Sequence, residues 1–149
     1  MLNKTDIRSM DPEELKRFLS TLDEKPYRAD QVFSWLHEKK ATGPDEMTNI
    51  PGDLRNKLKE TCDFSNPSVE RMLESALDGT RKYLFRFSDG SLIESVLMKY
   101  SYGNSVCVSS QAGCRMGCRF CASTLNGLSR NLTPSEMLGQ VYEIERRTG

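Results

Sequence analysis

The chain has 149 residues, 37% of them hydrophobic, which suits one ordinary domain or two small ones with a modest core. Its 21 basic and 21 acidic residues cancel, so net charge makes no case for a polyanionic partner, and no apolar run approaches the ~20 residues that span a membrane. Five cysteines, three of them in one short stretch, argue against a secreted disulfide scaffold and for a reducing compartment. With Asp6 early and no apolar leader, a cytoplasmic protein is expected.

The first 66 residues read as a small helical module. Asp11-Pro12-Glu13-Glu14 is a helix opening: Asp11 as cap, Pro12 at the first helical position, and Glu14 three residues on. Leu15, Phe18, Leu19 and Leu22 then recur on one face. A second helix is predicted over Ala29–Lys40, ended by Gly43-Pro44, and a third after Pro51-Gly52, with Leu54 and Leu58 inward. Phe18 and Trp35 belong to the core of this module rather than to a base-stacking surface, and Lys39, Lys40, Lys57 and Lys59 read as a solvated face. Cys62 reads as a small buried residue.

Residues 67–103 switch to a period of two. Strands are predicted over Ser68–Leu77, Thr80–Phe87 and Ser91–Met98, separated by Asp78-Gly79 and Ser88-Asp89-Gly90 turns, with Tyr83, Phe85 and Phe87 on one face. Residues 104–149 then read as strand, loop and helix. The strand is Ser105–Ser109, and the helix opens at Thr133-Pro134-Ser135-Glu136 with Met137, Leu138, Val141, Tyr142 and Ile144 on its apolar side. Such a unit would begin a (βα) barrel with its site at the strand's C-terminal end. The fold class is therefore α/β, or α+β for this length alone. One parallel strand and one helix cannot bury their own faces, so the chain is expected to be the N-terminal part of a longer protein.

The loop carries the chemistry. Cys114, Cys118 and Cys121 are spaced C-x3-C-x2-C, with Gly113 and Gly117 beside them. Three thiolates can hold three corners of a four-iron cluster and leave one iron open to a small ligand. A structural zinc site is the alternative, although zinc sites usually pair two C-x2-C knuckles or add H-x3-5-H, and the sole histidine is the distant His37. From Ser95 to Ser135 the chain has Lys99, Arg115, Arg119 and Arg130 and no carboxylate, a bias suited to thiolates and phosphates.

The cysteine spacing, with Phe120 just before the last cysteine, resembles the signature of radical S-adenosylmethionine enzymes. Asp78-Gly79-Thr80-Arg81-Lys82-Tyr83, Ile93-Glu94-Ser95-Val96, Cys107-Val108-Ser109-Ser110-Gln111, the Gly113–Cys121 loop and Arg130-Asn131-Leu132-Thr133 together resemble the RlmN-type adenine methyltransferases, from about Lys4 onward. The neighbouring Cfr-type enzymes modify carbon 8, where the RlmN type modifies carbon 2.

That resemblance implies a radical S-adenosylmethionine partial barrel, with Cys114, Cys118 and Cys121 on a [4Fe-4S] cluster and Phe120 as a cofactor contact. It also implies Glu94 as proton acceptor. Cys107 would be the thiol that resolves an RNA–protein intermediate through a transient disulfide with a second, methyl-carrying cysteine. One S-adenosylmethionine would methylate that carrier, and another would supply the radical. The implied substrates are an adenine of 23S ribosomal RNA and one beside the tRNA anticodon. A reductant such as flavodoxin and a monomeric state are expected. No cysteine follows Cys121, so the chain alone is expected to be inactive. Another radical S-adenosylmethionine enzyme (a methylthiotransferase or an activase) and a zinc-binding RNA module are the other readings.

Overall fold

The Asp11 carboxylate accepts the Glu14 amide at 2.8 Å, and the Glu14 carboxylate accepts the Asp11 amide at 2.9 Å. This reciprocal cap starts α1 (Pro12–Ser20) where the sequence predicts it. The computed structural model describes residues 4–148 and divides into two compact units, the first ending at Ser65 and the second beginning at Asn66.

In the first unit α1 is joined by α2 (Tyr27–His37) and α3 (Gly52–Thr61). Leu15, Leu19, Val32, Leu36, Met47, Leu54 and Leu58 form a buried core, with Phe18 and Trp35 packed half-buried against it, and Cys62 is buried with them. The second helix ends earlier than predicted. Lys40 takes a left-handed φ of 54°, and the Ala41 amide turns back to the Trp35 carbonyl, so the chain reverses before Gly43-Pro44 is reached. Of the surface lysines, Lys39 lies over the Trp35 ring, and Lys57 and Lys59 pair with Glu24 and Asp45.

The second unit is built on an antiparallel sheet in sequence order: β1 (Ser68–Glu74), β2 (Arg81–Arg86), β3 (Leu92–Tyr100) and β4 (Gly103–Cys107). Tyr83, Phe85, Phe87, Ile93 and Leu97 lie on its buried side, as the period of two predicts. The first strand stops at Glu74, short of Leu77, because the Ser75 amide bonds the Thr80 carbonyl and residues 75–80 make the turn.

The strand leading to the cysteine loop differs from its expected form. It spans Gly103–Cys107 rather than Ser105–Ser109. It pairs antiparallel with β3, from Val96–Cys107 to Tyr100–Gly103. Gly103, at φ +135°, lets the chain reverse within Ser101 and Tyr102, and the open edge of β3 is the nearest set of backbone partners.

Two short strands that the sequence reading did not anticipate, β5 (Gln111–Gly113) and β6 (Leu128–Asn131), pair antiparallel at the base of the loop. The final helix, α4 (Pro134–Thr148), opens with the Thr133–Glu136 cap. It packs Ile144 into the core and brings Gly139 so close to Pro67 that a Cβ there would lie 2.8 Å from the proline ring. No helix among the described residues is long and apolar enough to cross a membrane.

Candidate functional site

The cysteine loop is tied off at its base. The Cys114 amide donates to the Gly127 carbonyl at 3.1 Å, directly beside the β5–β6 pair. This approach requires glycine at 113. Its φ is +78°, and a Cβ there would sit 2.0 Å from the Gly127 oxygen. Within the loop the Cys121 amide bonds the Cys118 carbonyl, and the Thr124 hydroxyl lies within bonding distance of both the Cys118 and Cys121 carbonyls. Gly117, at φ +66°, makes the turn between Cys114 and Cys118, and the Met116 amide points at the Cys114 sulfur, 3.5 Å away.

All five cysteines are free thiols. Cys114, Cys118 and Cys121 are half-buried, Cys107 is exposed, and Cys62 is buried in the helical unit, where burial raises its thiol above the usual range. Phe120 and Met116 stand out from the loop, 94% and 78% exposed. Arg115 and Arg119 make no ion pair among the described residues, so two cations are available beside the thiols.

The donor set suits an iron–sulfur cluster: three soft sulfur ligands on one short loop, no competing carboxylate, and neighbouring positive charge that favours thiolates. No three His, Cys, Asp or Glu side chains among the described residues are gathered tightly enough to hold a metal ion. His37, which a mixed zinc site would need, belongs to the helical unit and packs on Phe33 with ring centroids 4.4 Å apart.

Glu94 and Cys107 come together on the sheet. Cys107 pairs with Val96, so it shares a face with Val96 and with Glu94 two residues along β3. Lys82 pairs with the same Val96 from the other side and places its Nζ 2.9 Å from Glu94 Oε1. Lys82, Glu94 and Cys107 thus form a charged, thiol-bearing row on the more exposed face. The Ser109 hydroxyl donates to the Glu94 carbonyl at 2.6 Å, fixing the segment between Cys107 and the loop against β3.

Two residues that sequence reasoning missed hold this arrangement. Gln140 is fully buried on α4, where the helical pattern had predicted only apolar neighbours. Its Oε1 accepts from the Ser95 hydroxyl (2.7 Å) and the Ser109 amide (2.9 Å), and its Nε2 donates to the Ser109 and Glu136 carbonyls. Arg130 on β6 is bidentate to Glu136 and reaches Asp89 at 2.6 Å, joining the loop's exit to the β2–β3 turn and the start of α4. The guanidinium holds the Asp89 carboxyl down at about 2. A polar residue inside an apolar stripe is the signal that could have found Gln140. Arg130 carried no local signal beyond its place in the quoted motif.

Residues 5–64 match the family described as the ribosomal RNA large subunit methyltransferase N-terminal domain. Over 97% of its length the chain is 58% identical to a probable dual-specificity RNA methyltransferase RlmN from Lachnospira eligens. The chain matches the N-terminal portion of the RlmN-type methyltransferases. A relative of the same name from Clostridioides difficile is 51% identical over 98% of the chain. A solved radical SAM methyltransferase from Sphaerobacter thermophilus superposes with a TM-score of 0.86 at 40% identity, covering 96% of this chain and 42% of that one. The chain spans about two-fifths of the length of these RlmN relatives, 41% and 42% in the two cases. Both the RlmN-type N-terminal domain and the segment bearing Glu94, Cys107 and the three loop cysteines lie within the matched span.

Proposed function

We propose that the chain supplies the cluster loop and two reacting side chains of an RNA methyltransferase that modifies carbon 2 of an adenine in 23S ribosomal RNA and in tRNA. Cys114, Cys118 and Cys121 would hold a [4Fe-4S] cluster, with Phe120 beside the S-adenosylmethionine bound to it. That pair, when bound, supplies the one-electron chemistry needed to functionalise a ring carbon that is not nucleophilic. The electron would come from a reductant such as flavodoxin in the cytoplasm, and the protein would act as a monomer.

The chain's own residues do the rest. Glu94 accepts a proton, as a carboxylate can when it lies within hydrogen-bond reach of the substrate, and Lys82 holds its carboxylate in place. Cys107, as thiolate, attacks the carrier sulfur: the bond from that sulfur to the methylene on the ring breaks, its electron pair stays on the carbon, which takes up a proton to become the methyl group, and the two sulfurs are left as a disulfide. The carrier is not among these residues, since no cysteine follows Cys121. The observation that carries this reading is that Glu94 and Cys107 share one sheet face whose next segment runs, through Ser109, straight into a three-thiol loop.

Anaerobic reconstitution of the chain should yield iron and sulfide, with about four irons per cluster. In the full-length enzyme carrying this sequence, Glu94→Gln and Cys107→Ala should keep the iron and abolish methyl transfer to large-subunit RNA. Zinc in place of iron would instead support a metal-binding RNA module.

A further inference from the structure

The β3–β4 turn carries an exposed aromatic stack that no step above uses. The rings of Tyr100 and Tyr102 lie 5.0 Å apart and within 6° of parallel, and Tyr102 is 81% exposed. Exposed rings are costly to hydrate, and here one ring already orders the other while the outer face of the pair stays open. Tyr100 follows Glu94, Val96 and Met98 on alternate positions of β3, so it lies on the face that bears Glu94 and Cys107. It lies six positions along the strand from Glu94, roughly 20 Å. The whole segment from Ser95 to Ser135 holds no carboxylate.

We infer that Tyr100 and Tyr102 form a stacking platform for an unpaired base of an RNA strand. This rests on the proposed RNA-modifying role and adds a contact to it. A flat, pre-ordered π-face in a stretch free of anions is the surface single-stranded RNA uses without reading sequence. Its place on the reacting face lets one strand rest a base on the tyrosines while another base reaches Glu94 and Cys107.

The test is titration of the chain with a short single-stranded RNA, followed by fluorescence anisotropy. The parent should bind. Tyr100→Ser with Tyr102→Ser should weaken binding by about tenfold or more, the range that loss of one base–aromatic stack gives, while Tyr100→Phe with Tyr102→Phe should stay within about twofold. Unchanged binding by the double serine variant, or no binding by the parent, overturns the platform. So does self-association of the parent that the serine variant abolishes, which would make these rings a contact between copies. A chain that takes up iron yet fails these tests leaves the proposed function standing. A chain that binds RNA through the tyrosines but takes up no iron does the reverse.

Discussion

Replacing Gln140 with leucine is the sharpest probe of how the second unit is held together. The change keeps the side chain's bulk and deletes its four hydrogen bonds. Ser95 is only 1% exposed, so its hydroxyl has no water to turn to. The Ser109 amide and carbonyl are less deeply placed and would be partly rewetted. A buried polar group left without a partner costs roughly 1–3 kcal/mol. One full penalty at Ser95 and about half of one at each Ser109 group, less about 1 kcal/mol for the apolar surface gained, leaves roughly 1–5 kcal/mol, about 3 kcal/mol at the middle of that range. In a unit of this size each kcal/mol lowers the melting temperature by about 4–8 °C, so the Gln140→Leu transition should fall by about 10–25 °C. Differential scanning calorimetry measures it, and hydrogen exchange at the Ser109 amide should accelerate in parallel. Adding Ser95→Ala to the variant removes the orphaned hydroxyl and should restore about 1 kcal/mol. A shift of a degree or two, or no recovery in the double variant, would refute the reasoning.

Gly113→Ala drives a Cβ into the Gly127 carbonyl at a left-handed φ, so it should open the base of the loop and lower reconstituted iron several-fold, read by iron and sulfide assay. Alanine at Cys114, Cys118 or Cys121 should each remove most of the bound iron, whereas Cys107→Ala should leave it unchanged. The Asp89–Arg130 contact gives an acid dependence. The folded carboxyl sits at about 2, below its ordinary value of 3.8, so its contribution is present above that ordinary value and disappears as pH falls toward 2. Asp89 is nearly half exposed, which limits the effect to about 1 kcal/mol. Asp89→Asn should therefore be less stable than the parent near neutrality and converge with it near pH 2, as urea unfolding at several pH values would show.

Much of this architecture could be read before any coordinates. The Asp11–Glu14 and Thr133–Glu136 pairs mark helix starts because a cap is a local affair, satisfied by residues three apart. Tyr83, Phe85 and Phe87 announce their buried face through alternation alone. The two shortest strands escaped because β5 is three residues and β6 four, too brief for any period to show. Their pairing depends instead on the close approach of Gly113 to Gly127, fourteen positions later. The antiparallel placement of β4 is set by the tight turn leading into Gly103, which no Asp-Gly or Asn-Gly pair announces. At the site, the three cysteines and Phe120 stand out by spacing, and Glu94 and Cys107 only through the resemblance. The Lys82 contact needed strand register, which a linear reading does not contain.

The pinch between Gly113 and Gly127 bears on how metal would first enter. A thirteen-residue excursion hung from an open base would have to find its ligand geometry from a broad ensemble. With the base drawn shut by the Cys114–Gly127 contact, the three thiols of the proposed site would stay tethered on one short loop, at millimolar effective concentration or above. Capture of one iron by one thiol then makes the second and third attachments intramolecular. In the proposed role, the speed of cluster assembly would then depend on the fit of two glycines that never touch the metal.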